Sequence, residues 1–225
     1  MHLGIVMKTL FKPVLAAAAL LFAGGAVAND NLWFGVKAGT LGLGVEARWE
    51  PIPWLDVRAG LNRFDYDDDG AQAGIAYDAT LELDTFYTTA NLRFPLSPMR
   101  LSIGAFNNGN QLKLQSREAS SFVVGGQTYS GDEVGQLRST SSFDDIAPYV
   151  GIGFDFELAN RLGLNLDLGV LWQGEPTVTL TADGSLASDP NFQDRLESER
   201  QELQREAEDF KTWPVISLGL HFNFF

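Results

Sequence analysis

Read in steps of two, most of the chain separates into an apolar face and a polar one. Between Leu41 and Glu50 the odd positions are Leu41, Leu43, Val45, Ala47 and Trp49, and the even ones are Gly42, Gly44, Glu46, Arg48 and Glu50. That is the period of a β-strand with one face against an apolar medium. The alternation recurs through 32–39, 55–62, 86–94, 100–106, 146–156, 162–173 and 214–224, so the pattern predicts eight strands. Short connections at 50–54, 95–99 and 157–161 alternate with long ones at 65–84, 116–144 and 174–211, and 39–42 is the one tight turn among the latter.

Three features orient the faces. Glycine shares the polar face with the charges, which leaves room for Arg and Asp side chains in a narrow lumen; a solvent-facing strand surface has little use for it. Aromatic residues stand at strand ends (Trp49, Trp54, Phe94, Phe156, Trp172, Phe222, Phe224), as interfacial girdles require. Short turns alternate with long loops, and an even strand count returns both chain ends to one side. The expectation is an all-β fold: an eight-stranded antiparallel transmembrane β-barrel with an extracellular-loop helix, rather than a soluble barrel that buries its apolar face.

Residues 1–28 read as a cleaved signal peptide: Lys8 and Lys12, an apolar run from Val14 to Ala23, and Ala26-Val27-Ala28 as the cleavage site, leaving 29–225 as the barrel. Met7 opens a more compact signal than Met1 does. The 225 residues hold 29 acids and 16 bases, a net charge of −13; without Lys8 and Lys12 it becomes −15. Residues 65–84 contribute −7, 117–144 contribute −2 and 183–211 contribute −5, so the outer connections carry −14 and the barrel is close to neutral. This charge opposes binding to nucleic acid phosphates. The absence of cysteine removes disulfides, thiolate metal sites, cysteine catalysis and a lipoprotein anchor. After the signal no apolar run reaches the roughly 18 residues a membrane-spanning helix needs, which leaves the barrel as the way across.

The pattern resembles the small outer-membrane β-barrels of Gram-negative bacteria, of the OmpA, OmpX and OmpW kind. Its most specific element is the last strand, where Leu218, Leu220, Phe222 and Phe224 fit the assembly signal of such proteins and Phe225 stands out of phase as an extra terminal aromatic. Segments 40–46, 58–67, 147–153 and 166–174 look like a proteobacterial barrel family with no assigned activity. The resemblance implies an outer-membrane location, outer-membrane lipid, lipopolysaccharide and the barrel-assembly machinery as partners, and a monomer.

Lys37, Glu46, Arg48, Asp56, Arg58, Arg93, Arg100, Asp155 and Asp167 fall on the lumen parity and are mixed in sign. In a barrel of eight strands they are expected to form a buried polar network; the alternative is a selectivity filter of a narrow channel for ions or small solutes. Asp65, Asp67 and Asp69, followed by Gly70, match the opening of a calcium loop, but the twelfth position is Ala76 and the bidentate carboxylate is missing. An acidic solvated hairpin tip is the simpler reading, with calcium as the only cofactor the sequence suggests. Asp189 and Pro190 start a helix through 190–211 whose stripe of Phe192, Leu196, Leu203, Ala207 and Phe210 is expected to pack on the barrel rim or on the hairpin of 122–129. Glu197 with Arg200, Glu202 with Arg205 and Glu208 with Lys211 are spaced to pair along it. The one histidine after the signal, His221, lies on the lumen parity near the C-terminus, far from the outer leaflet, so no enzyme is expected. The function expected is a non-enzymatic barrel with acidic surface loops, acting in envelope integrity or in surface, cation or lipopolysaccharide binding.

Overall fold

The computed structural model describes residues 31–72, 75–117, 121–159 and 161–224; the expected signal peptide and Phe225 lie outside them. In chain order the elements are β1 (Leu32–Gly39), β2 (Gly42–Ile52), β3 (Leu55–Gln72), β4 (Ile75–Arg93), β5 (Met99–Asn108), β6 (Gln111–Ser116), β7 (Ser121–Val124) and β8 (Gln127–Ser130). A helical turn α1 (Gly131–Val134) leads to β9 (Leu137–Ser142), β10 (Ile146–Ala159), β11 (Leu162–Trp172), β12 (Thr177–Ala182), helix α2 (Pro190–Ala207) and β13 (Thr212–Phe222). Eight of the strands close an antiparallel ring in the order β1, β2, β3, β4, β5, β10, β11, β13. The seam is β1 on β13, from Phe34 opposite Phe222 to Gly39 opposite Ser217.

Parity behaves as the alternation requires. Val36, Leu43, Leu61, Phe86, Ile103, Val150 and Leu218 point outward and stay exposed, whereas Arg58 and Arg100 are 1% and 2% exposed and Asn91 and Asn165 are wholly buried. A soluble protein with this distribution would expose its apolar surface to water and bury its charges, so the exposed band is the lipid face. The glycines fit the inward face sterically. A Cβ on Gly60 would lie 2.4 Å from the Tyr87 hydroxyl, and one on Gly169 would lie 2.5 Å from the Tyr149 ring. Tyr87 and Tyr149 thus lie over neighbours that have no side chain.

β2, β11 and β13 have 11 residues, the length that crosses a membrane at a barrel's tilt. β3 and β4 have 18 and 19, so the hairpin continues beyond the lipid by seven or eight residues, on the order of 25 Å. The segment 65–84, expected as a loop, is therefore mostly strand, with Asp65 opposite Glu82 and Asp69 opposite Asp78. The other long connections also pair. β6 lies on β4, β9 on β6 and β12 on β9, giving an outer sheet in the order β3, β4, β6, β9, β12. β5, β10 and β11 stop at one level and their continuations β6, β9 and β12 resume above it, while β3 and β4 pass through unbroken.

Across this level the polarity of the faces reverses. The outward parity of β3 runs Leu55, Val57, Ala59, Leu61 and then Arg63, Asp65, Asp67, Asp69; the inward parity of β4 changes from Asn91, Thr89 and Tyr87 to Leu83 and Leu81. Lipid has ended, so the outward face meets water; on the inward face Leu83 of β4 is buried while Tyr66 of β3 stays exposed.

Asp189 caps α2 by accepting the Phe192 N–H at 3.0 Å, with Pro190 in the first turn. Phe192 and Leu196 enter a small core with Phe122, Val124 and Val134, and Tyr129 stands edge-on to Phe192 at 5.1 Å. The expected stripe is right in its first half. Its end differs: Phe210, in a turn of 3-10 helix at Glu208–Phe210, is 55% exposed.

Candidate functional site

The lumen is filled in layers. Nearest the short turns, Glu50 takes Arg48 at 2.7 Å and Arg93 at 2.8 Å. Above them Arg58 is the hub: its Nε reaches Asp56 at 2.9 Å, its Nη2 Asp155 at 2.8 Å and its Nη1 Glu46 at 3.4 Å. Glu46 also accepts from the Tyr87 hydroxyl at 2.5 Å, is 3.5 Å from Lys37 Nζ and is 2.7 Å from His221 Nε2. Arg100 bridges Asp155, at 3.1 Å, to Asp167, and Asp167 is held further by Asn165 at 3.1 Å and Ser217 at 3.2 Å. Five cations (Lys37, Arg48, Arg58, Arg93, Arg100) meet five carboxylates (Glu46, Glu50, Asp56, Asp155, Asp167), so the formal charges of these ten groups balance.

Beyond the charges lies an apolar layer of Leu41, Tyr87, Phe106, Ala147, Tyr149, Leu171 and Val215. Tyr87 stacks on Phe106 with ring centres 4.8 Å apart, and Phe106 meets Tyr149 at 5.3 Å. At the outer rim Asn108 and Asn110 both donate to the Gln173 side-chain carbonyl, at 3.3 and 3.1 Å. Between ionic and aromatic layers remains a cavity of about 20 Å³, lined by Lys37, Glu46, Arg58, Tyr87, Arg100 and Asp167. That is room for roughly one water molecule. At the short-turn end a vestibule of about 830 Å³ lies between the turns, reaching Glu50, Arg93 and Asp155.

All nine lumen charges named from the sequence meet in this network. Sequence reasoning missed Glu50, assigned to a turn, and the uncharged partners Tyr87, Asn91 and Asn165. It also missed the aromatic layer, although Tyr87, Phe106 and Tyr149 share the lumen parity at the outer ends of their strands. Leu41 is corrected: it sits in the turn between β1 and β2 and packs into the mouth of the lumen, 5% exposed, rather than facing outward with Leu43.

The structure places Asp65, Asp67 and Asp69 on a strand where the sequence suggested a loop. They alternate along an extended strand on the outward face, roughly 7 Å from one to the next. Among the described residues no three acids or histidines converge as metal ligands. Thr80 donates to Asp67 at 2.8 Å, Lys113 meets Glu82 at 2.7 Å, and Arg117 pairs with Asp78 and lies 3.8 Å from Asp69. On α2, hydrogen bonds from Arg200 and then Gln201 hold the Glu197 carboxyl down at about 2, and Lys211 lies 3.3 Å from Glu208. Arg205 turns instead to the Gln201 carbonyl, 3.3 Å away, and not to Glu202. Leu218, Leu220, Phe222 and Phe224 of the terminal segment face outward and are exposed.

A closed ring of eight membrane-length strands, a polar filled lumen and an apolar belt define the class: this is an outer-membrane β-barrel protein. Among solved structures the chain is similar to CarO2 of Acinetobacter baumannii, with 23% identity over 85% of this chain and 97% of that one and a TM-score of 0.58. It is likewise similar to CarO of the same species, with 25% identity over 84% and 96% and a TM-score of 0.56. No family model and no curated protein sequence matches it. In barrels of this class short turns lie on the periplasmic side and long connections on the outside.

Proposed function

We propose that the protein is a closed, non-catalytic outer-membrane barrel that acts through the sheet it carries at the cell surface, contributing to envelope integrity where that sheet's acidic outward face meets the lipopolysaccharide layer. The observation that carries this reading is the filled lumen: a charge-balanced ionic layer under a stacked aromatic one, with about 20 Å³ left between them. A lumen packed in this way favours a closed barrel, and what differs from a bare membrane anchor is the outer sheet. Divalent cations bridge Asp65 and Asp67 to lipopolysaccharide phosphates in this reading, since like charges at a surface need a cation between them. His221 is committed to Glu46 inside the barrel, which supports a structural role for it over a catalytic one.

Planar bilayers test the reading. Purified protein should give no steady conductance steps; steps of uniform size would overturn it in favour of the narrow channel. Deletion that leaves detergent sensitivity and lipopolysaccharide retention unchanged would overturn the envelope role.

A further inference from the structure

The outer sheet has two free edges, and the protein treats them differently. Along β12 the backbone groups of Val178 are closed by α2: Gln204 accepts its N–H at 3.0 Å and Arg200 donates to its carbonyl at 3.3 Å. Along β3 nothing comparable is present among the described residues. β2 leaves it at the pair Leu43–Arg63, with Gly42 packed beside Phe64, because the turn between β1 and β2 is so short that no strand rises beside Asp65 and beyond. The Asp69 N–H points away from β4 and, among the described residues, is met only by the neighbouring Asp68 carboxylate, at 2.9 Å. Both backbone groups of a strand residue point to one side, so Asp65 and Asp67, in phase with Asp69, direct theirs to the open edge as well.

From these observations we infer that the β3 edge from Asp65 to Asp69 takes an extended peptide segment of another protein as an added strand, one that alternates basic with apolar side chains. The inference rests on the surface role proposed above. Backbone pairing supplies attachment, and the two faces of β3 set the choice of side chains. On the outward face the partner's basic residues meet Asp65, Asp67 and Asp69; on the inward face its apolar residues cover Tyr66, which is 51% exposed. A second copy of this chain is disfavoured as occupant, since it would bring the same row of carboxylates against itself.

The test uses the full chain in nanodiscs and two fluorescein-labelled peptides, Lys-Val-Lys-Val-Lys-Val-Lys and its isomer Lys-Lys-Val-Val-Lys-Val-Lys, followed by anisotropy. The alternating peptide should bind about tenfold more tightly, as one or two hydrogen bonds and one aligned face would give. Asp67→Pro removes an edge N–H without touching the β4 side and should weaken binding about tenfold, and Asp67→Asn, which keeps the N–H, about threefold. Should Asp67→Pro fail to show the heat-dependent migration of a folded barrel, the alternating peptide N-methylated at every second residue makes the same test from the partner's side. Equal binding of the two peptides, or no effect of the lost N–H on either partner, would reduce the interaction to charge attraction and overturn the inference. So would self-association of the full chain that the edge substitutions abolish. Conductance is independent of all these outcomes, so failure here leaves the closed-barrel reading standing.

Discussion

Tyr149 lies across the backbone of two strands because neither Gly151 nor Gly169 has a side chain. A Cβ on the first would lie 2.2 Å from its hydroxyl and one on the second 2.5 Å from its ring. Gly169→Val is therefore expected to lower the unfolding free energy by about 1–3 kcal/mol, the usual cost of overpacking, and Tyr149→Ala in the same chain should recover part of it. Urea unfolding in micelles reads both. Glu46 shows the electrostatic counterpart. Replacing it with leucine takes the carboxylate from Lys37 and the acceptor from the Tyr87 hydroxyl inside the lumen, while Arg58 keeps Asp56 and Asp155, and about 3–5 kcal/mol should be lost, as when one partner of a buried pair is removed. Glu197, by contrast, is solvent-exposed and screened, so its pairing with Arg200 is visible as a titration more than as stability. Its folded pKa, about 2, lies below that of a free glutamate, so the stabilisation is complete above the unfolded pKa, near 4.3, and disappears as pH falls through about 2. Carboxyl NMR should show the low midpoint, and Arg200→Gln should return it toward the free value.

At the scale of elements, α2 both closes the edge of β12 and completes a small outer core, and the two roles separate by mutation. Gln204→Ala opens the edge alone: amide exchange at Val178 should accelerate about tenfold, the loss of one hydrogen bond, with little change elsewhere. Phe192→Ala removes the centre of the outer core, 1% exposed, and should release α2 and the β7–β8 hairpin to protease while the barrel keeps its heat-dependent migration. How much of this was legible in the sequence follows from one physical fact, the medium each face meets. Inside the membrane lipid and lumen impose opposite polarities on every strand, so the eight barrel strands and all nine lumen charges stand out by parity. Above Leu61 and Phe86 the medium changes, the apolar parity of β3 and β4 switches sides, and a strand that continues looks like a strand that ends. β9 adds a second reason: Arg138, Ser139, Thr140 and Ser141 carry no alternation at all, and only pairing with β6 and β12 makes them a strand. The helix was legible because its cap and apolar stripe are local; the exposure of Phe210 was not, because it depends on where the outer core stops.

For the whole molecule the ionic and aromatic layers are barriers in series, and a permeating ion must pass both. Phe106→Gly with Tyr149→Gly empties much of the aromatic layer, yet Arg58 and Arg100 still tie β3 and β5 to Asp155 and Asp167 across the bore beneath it. Arg100→Ser with Asp167→Ser removes a cation and a carboxylate together, keeps the formal charges balanced and leaves the stacked rings above in place. Each pair of substitutions alone should therefore remain silent in planar bilayers, and the four together should conduct. Their folding can be checked first by migration before and after boiling, since loss of a buried charge pair as a unit is far less damaging than loss of one partner. Conductance from either pair alone would mean that the remaining layer opens by itself on the timescale of the measurement. The lumen would then be a gated path rather than a filled core, and the role of the outer sheet would have to be sought in controlling that gate.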